Sequence, residues 1–173
     1  QTAAGRAASA NDSGLEEVLV TAQRRSESLS RTPVAVAVLG SESLTRQAVI
    51  SEADLQLAVP GLTVKAGQSS NQLNYALRGQ TVDSFSSSRA SVLPYFNEVQ
   101  VGGSASTAFY DLSSIQVLKG PQGTLFGRNS TAGLINIVTK GPDFDGFHAK
   151  GSATYGNYEF MRLDGSVNVP IGE

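Results

Sequence analysis

The sequence predicts an α+β domain built on one mixed sheet, followed by a strand pair of a different kind. Three observations carry this reading. Short, β-branched, apolar runs recur between turn residues from Arg31 to Lys140. Two serine-led stretches, beginning at Ser41 and Ser51, carry helix-start signals. After Gly141-Pro142 the pattern changes to strict alternation of apolar and polar residues.

Composition narrows the function classes. The chain has 173 residues, 16% of them charged, with a net charge of −2. It has no basic cluster of the kind nucleic-acid binding uses, so no nucleic-acid partner is expected. Cysteine is absent and His148 is the single histidine, which excludes a disulfide framework, thiol chemistry and a His/Cys zinc site within the chain. No cofactor is expected. One histidine without a nucleophile or acid pattern beside it supports no triad mechanism, and Asp143 with Asp145 falls short of a calcium loop. No run approaches the roughly 18 apolar residues of a membrane-crossing helix, so a bilayer role would have to use strands. The chain starts at Gln1 without a signal-peptide pattern, which reads as a processed or trimmed terminus.

The elements follow in order. Residues 1–14 are small, polar and aperiodic and read as a flexible tail. Leu15–Ala22 is a short strand-prone run before another polar stretch. By itself it reads first as an ordinary N-terminal strand, with a peptide that pairs to a partner's sheet edge as the alternative. Arg31–Leu39 is a strand with Pro33 at its permitted start. Ser41 is expected to cap a helix running through Ala48. Ser51 is expected to cap a second one, with Asp54 in the capping-box position, ending before Pro60. Gly61–Ala66 and Leu73–Arg78 alternate as strands, and Leu73, Tyr75 and Leu77 share a face. A strand is expected around Tyr95–Val101. Gln80–Ala90 and Gly102–Ala108 are polar, small-residue loops.

Ile115–Leu118 and Leu134–Val138 are strand runs flanking a middle that holds Gly120, Gly123, Gly127 and Gly133. A phosphate loop is excluded. Gly123 and Gly127 have three residues between them rather than four, and Arg128-Asn129 stands where Lys-Ser/Thr is required. The glycines point instead to sharp turns or close backbone packing.

In the C-terminal pair, Phe147, Ala149, Gly151, Ala153 and Tyr155 alternate with His148, Lys150, Ser152 and Thr154. After a turn at Gly156-Asn157, Met161, Leu163, Gly165, Val167 and Val169 alternate with Arg162, Asp164, Ser166 and Asn168. Such dyads mark outer-membrane barrel strands, apolar toward lipid and polar toward the lumen. They equally fit a half-buried hairpin of a soluble sheet. Small residues on the apolar face and aromatics near its ends tilt the reading toward the barrel.

Together these features resemble the TonB-dependent outer-membrane receptor family. The residues that carry the resemblance are EEVLVTA followed by QRR, Leu77–Gly79 (LRG), Val92–Gly102 (VLPYFNEVQVG), the long Asp111–Pro142 motif, and Ala153–Gly172. It covers nearly everything after Gly14 and is most specific in the Asp111–Pro142 motif. Two departures stand out. The family commonly has Tyr-Val-Asp-Gly where this chain has Tyr95-Phe96-Asn97-Glu98, so the turn there is expected to be reshaped. Lys119 replaces an Arg before Gly-Pro, keeping charge but losing the bidentate fork.

The resemblance implies an α+β plug with a mixed four-stranded sheet and short helices, followed by the start of an antiparallel transmembrane β-barrel. Residues 1–30 form a flexible segment carrying a TonB box at about 16–22, residues 31–142 the plug, and 143–173 a first barrel hairpin of a wall that continues beyond this chain. It implies a non-enzymatic receptor in the Gram-negative outer membrane, plug toward the periplasm, taking up a scarce nutrient of the ferric siderophore, cobalamin or saccharide class. A stand-alone periplasmic plug-like module, or a truncated non-transporting product, is the alternative. Implied partners are the TonB-ExbB-ExbD complex, the remainder of the barrel, outer-membrane lipid, and a metal chelate or other small nutrient. Glu17, Val18, Leu19, Val20, Thr21 and Ala22 would engage TonB. Gln80, Asp83, Phe85, Arg89, Ser104, Thr107 and Phe109 would face ligand, and Arg78 and Lys119 would meet the barrel.

Overall fold

A computed structural model describes residues 19–20, 27–28, 34–67, 72–81, 90–101 and 109–170. Near the N-terminus, β1 (Leu19–Val20) pairs antiparallel with β2 (Glu27–Ser28). The main sheet among the described residues contains β3 (Ala35–Gly40), β6 (Val92–Phe96), β7 (Val99–Gln100), β8 (Leu112–Lys119) and β9 (Gly133–Thr139). Their order is β3-β8-β9-β6-β7, and only the β6–β9 pair is parallel, which makes the sheet mixed as expected. It has five strands rather than four, because two residues after a tight turn pair back onto β6. The Gly61–Ala66 and Leu73–Arg78 runs do not join it. They form a separate antiparallel hairpin, β4 (Leu62–Ala66) with β5 (Leu73–Leu77).

Both faces of the sheet are used. On one, Leu39, Ile115, Val117, Ile135 and Ile137 join a core completed by Leu44, Val49, Leu55, Val59, Leu62, Val64, Tyr75 and Leu77. Those covering residues come from α1 (Ser41–Arg46), a 3₁₀ turn (Glu52–Asp54) that runs into α2 (Leu55–Ala58), and the β4–β5 hairpin. Alternation explains why the hairpin fits: Leu62 and Val64 lie opposite Leu77 and Tyr75 in the ladder, so all four point one way. On the other face Leu93, Tyr95, Leu118 and Leu134 pack with Phe126. Phe126 ends α3 (Gly123–Phe126), a single helical turn in the glycine-rich stretch that the sequence pattern does not reveal. Its ring meets Tyr95 edge-on at 5.1 Å, and the Tyr95 hydroxyl donates to the Phe126 carbonyl at 2.9 Å.

Two glycine questions have structural answers. Gly133 has φ +149°, and a Cβ there would stand 2.1 Å from the Leu118 carbonyl oxygen and 2.7 Å from Leu77 Cδ1. The close packing expected of this stretch is therefore located at one residue. The opposite case is the turn between β6 and β7. Asn97 and Glu98 both adopt left-handed backbone (φ 47° and 66°), giving a two-residue hairpin turn without glycine inside the run expected to be one strand. Asn97 tolerates this conformation and uses its side chain, accepting from the Thr139 N–H and donating to Thr139 Oγ1, both at 3.0 Å.

The helical stretches depart slightly from expectation. Gly40, not Ser41, occupies the N-cap of α1, which ends at Arg46 rather than Ala48 because Ala48 turns to φ 51°. The Ser51–Asp54 box forms as expected. The Asp54 carboxylate accepts from the Ser51 N–H and hydroxyl, each at 2.8 Å, and from the Ile50 N–H at 3.1 Å. Beneath this turn Tyr75 is buried, and burial first, then the buried Glu52 carboxylate, push its phenol well above the ordinary tyrosine range.

The C-terminal residues form β10 (His148–Tyr155) and β11 (Met161–Asn168), antiparallel and in register from His148–Asn168 to Tyr155–Met161. On β11, Met161, Leu163 and Val167 are 69%, 70% and 67% exposed, while Arg162, Asp164, Ser166 and Asn168 between them are partly covered. On β11 the polar side faces the domain and the apolar side faces out, whereas β10 is exposed along its whole length. A soluble half-buried hairpin has the reverse orientation.

The Asn97-Glu98 turn generates a prediction. A left-handed non-glycine residue costs about 1–2 kcal/mol, and glycine's extra unfolded-state freedom returns about 0.4–1 kcal/mol of that. Glu98→Gly should therefore stabilise the domain by about 0.5–1 kcal/mol, read as a higher denaturant midpoint at unchanged slope. A lower midpoint would show that the Glu98 side chain, rather than its backbone, matters.

Candidate functional site

The residues singled out for function fall in three places. At the N-terminus, Leu19 and Val20 lie on β1, paired with Ser28 and Glu27 respectively. Glu17, Val18, Thr21 and Ala22 lie outside the described residues.

Of the loop residues, Asp83, Phe85, Arg89, Ser104 and Thr107 also lie outside the described residues. Gln80 is exposed, and its carbonyl accepts from the Leu77 N–H at 3.3 Å and from the Ser91 hydroxyl at 3.5 Å. The second contact ties together the two ends of the Gln80–Ala90 loop. Phe109 is only 8% exposed and belongs to the main core, so its ring anchors the end of the Gly102–Ala108 loop.

Arg78 and Lys119 come together at one turn. The exposed Arg78 takes left-handed backbone (φ 52°), and its N–H donates to the Gly61 carbonyl at 2.9 Å. The half-buried Lys119 donates from Nζ to the neighbouring Pro60 carbonyl at 2.9 Å. The Pro60-Gly61 turn therefore gathers both residues before their glycines, with the Arg78 guanidinium at the surface.

A further set lies where the C-terminal hairpin meets the domain. A cavity of about 310 Å³ separates them. Its domain side includes Thr45, Ile50, Tyr110, Asp111 and Lys140, and its hairpin side includes Lys150, Thr154, Arg162 and Asp164. The charged groups are mixed: Lys140 stands 3.9 Å from Asp111, and Arg162 Nε stands 2.8 Å from Asp164. Arg162 also reaches across. Its Nη2 donates to the Phe109 carbonyl at 2.6 Å and its Nη1 to the Ile50 carbonyl at 3.4 Å. Beside it, the Tyr110 hydroxyl donates to the Gly165 carbonyl. Sequence alternation puts Arg162 on the polar face of its strand but not against these carbonyls, because a backbone acceptor leaves no residue-type signature.

The connection from sheet to hairpin is fixed separately. The Asn168 amide donates to the Asp143 carbonyl at 2.6 Å and to the Gly146 carbonyl at 3.1 Å, and accepts from the Asp143 N–H at 3.3 Å. His148 Nε2 lies 3.3 Å from the Asp143 carboxylate. Among the described residues no cluster of metal-ligating side chains occurs, and no helix is long and apolar enough to cross a membrane.

Comparison with known proteins bears on the whole arrangement. The model of the TonB-dependent receptor plug domain matches residues 28–134. The pesticin receptor of Yersinia pestis is 33% identical over 128 residues, 73% of this chain and 19% of that protein. The catecholate siderophore receptor Fiu of Escherichia coli (strain K12) is 36% identical over 80 residues, 46% of this chain and 10% of that protein. The crystal structure of the ferric yersiniabactin uptake receptor FyuA from Yersinia pestis superposes with a TM-score of 0.67 at 27% identity, over 82% of this chain and 22% of that one. The chain thus spans about a fifth of the length of the pesticin receptors it matches. The matched segment includes the five-strand sheet up to the start of β9, both covering layers and the glycine-rich turn, and on that basis the chain belongs to the TonB-dependent receptor family and carries its plug domain.

Proposed function

We propose that this chain is the plug and the first wall hairpin of an outer-membrane receptor for active uptake of a siderophore-class metal chelate in a Gram-negative cell. The plug faces the periplasm, and the chain works as a transport receptor rather than a catalyst. The observation that carries the reading is the orientation of β10–β11. On β11 the polar face lies against the plug and the apolar face is turned outward, an orientation suited to an apolar outside. Two strands leave open edges, and open edges in lipid strand unpaired backbone groups, so the rest of a closed barrel is the required neighbour.

The plug blocks the lumen, and the ends of the 80–90 and 102–108 loops are held to the plug through Gln80 and Phe109. Loops carried on a rigid scaffold are where a ligand is read. The names of the catecholate siderophore receptor and the ferric yersiniabactin uptake receptor favour an iron chelate among the nutrient classes. The N-terminal segment, from Glu17 to Ala22, is the handle through which TonB, driven by ExbB and ExbD, pulls. Strand addition along Val18 and Val20 supplies main-chain hydrogen bonds to the partner. Arg78 is free to meet a wall carboxylate from its exposed turn, whereas Lys119 already has a plug carbonyl. The stand-alone periplasmic module is the second reading, and the outward apolar face of the hairpin weighs against it.

Two predictions follow from this. Leu163→Arg on the outward face should weaken barrel insertion by about 2 kcal/mol, measured as folding yield into lipid vesicles; unchanged insertion would remove that face from lipid. Val20→Pro deletes a backbone donor and should abolish uptake while leaving ligand binding at the cell surface intact. Normal uptake by that variant would remove the segment from the coupling step.

A further inference from the structure

We infer that Arg162 is a positioning residue: it latches two plug segments to the first wall hairpin through neutral acceptors, so that the seam opens without exposing a bare charge. This rests on the reading of β10–β11 as wall. The contacts are asymmetric in a way that matters. Arg162 presents its Nε to both Asp164 oxygens, at 3.0 and 2.8 Å, on its own strand and its own face. That pairing fixes the plane of the guanidinium and leaves both terminal nitrogens directed at the plug. There they find the carbonyls of Phe109 at 2.6 Å and Ile50 at 3.4 Å. The two acceptors lie far apart in sequence and are bridged by the one guanidinium. One precedes the Ser51–Asp54 box, and the other follows directly on the 102–108 loop.

A salt bridge spanning the seam would have to leave two desolvated charges behind on opening, and breaking such a pair is strongly opposed. Here the charge is neutralised within the hairpin. When the carbonyls move away, the guanidinium keeps its carboxylate and the carbonyls take up water. Phe109 gives the latch an input: its ring is buried in the plug core while its carbonyl is held by the wall. Displacement of Phe109 therefore loads the Arg162 contact directly. The Tyr110 hydroxyl on the Gly165 carbonyl adds a third contact of the same neutral kind at the same place.

Hydrogen–deuterium exchange on the full receptor reconstituted in vesicles tests this. Arg162→Gln should speed exchange of the 50–54 and 109–112 amides at least fivefold, while the 115–118 and 134–137 amides of the central strands stay unchanged. Asp164→Asn should give a smaller rise in the same two segments, because the guanidinium remains but is no longer oriented. Arg162→Lys keeps the charge without the fork, so it should protect one of the two segments and not both. It also provides a reading if the Gln variant does not insert. Unchanged exchange at 50–54 and 109–112 would overturn the latch, and so would an equal rise in the central strands, which would make Arg162 a general stability residue. The exchange pattern does not depend on the receptor transporting anything, so failure of the latch and failure of the uptake reading are distinguishable.

Discussion

The structure depends on the β8–β9 pair being buried on both faces. Ile115, Val117, Leu118 and Leu134 are completely shielded, and Ile135 and Ile137 nearly so. A strand pair can be covered on both sides only if each face finds its own partner layer. One face takes the two helical segments and the β4–β5 hairpin, and the other takes Phe126 from the single turn of α3. This is why the connection between β8 and β9 is long and glycine-rich rather than a tight turn: it must fold back over the sheet it connects. Its end is constrained at Gly133, where the Leu118 carbonyl and Leu77 approach too closely for any Cβ. Truncating one of the shielded leucines would cost about 2–5 kcal/mol, a large fraction of the margin of a domain this size.

That same pair delivers the chain to the hairpin. β9 ends at Thr139, Lys140 returns a backbone bond to Asp111, and Asn168 pins the 143–146 segment to the last residue of β11. The plug domain is thus joined to the C-terminal hairpin at the connection by an amide and at the cavity by Arg162. Between these points lies the cavity, whose domain side carries Leu44, Val49, Ile50 and Leu112 as well as Asp111 and Lys140, and whose hairpin side is polar.

Much of the fold was legible because it rests on periodicity. The alternation of Leu73, Tyr75 and Leu77, the Ser51–Asp54 box and the two C-terminal strands all formed where the pattern put them. What alternation cannot encode is which sheet a strand joins, and β4 and β5 accordingly stand apart from the main sheet. The Asn97-Glu98 turn escaped because neither residue carries the glycine signal, and the side-chain clamp on Thr139 that sustains it is 42 residues away. α3 escaped because four residues starting at glycine have no helical period. The contacts of Arg162 were not legible either, since its partners across the cavity are backbone carbonyls. Which face of β11 turns outward was likewise not encoded in the alternation of the C-terminal dyads.

The central claim is that the outward face of β11 is a lipid-facing wall. It is tested most directly by scanning a nitroxide label along positions 161–168 in the reconstituted receptor and measuring collision with oxygen and with a water-soluble relaxant. The account predicts a period of two, with odd positions accessible to oxygen and even positions shielded from it. Uniform access to the aqueous relaxant at odd and even positions alike would contradict it.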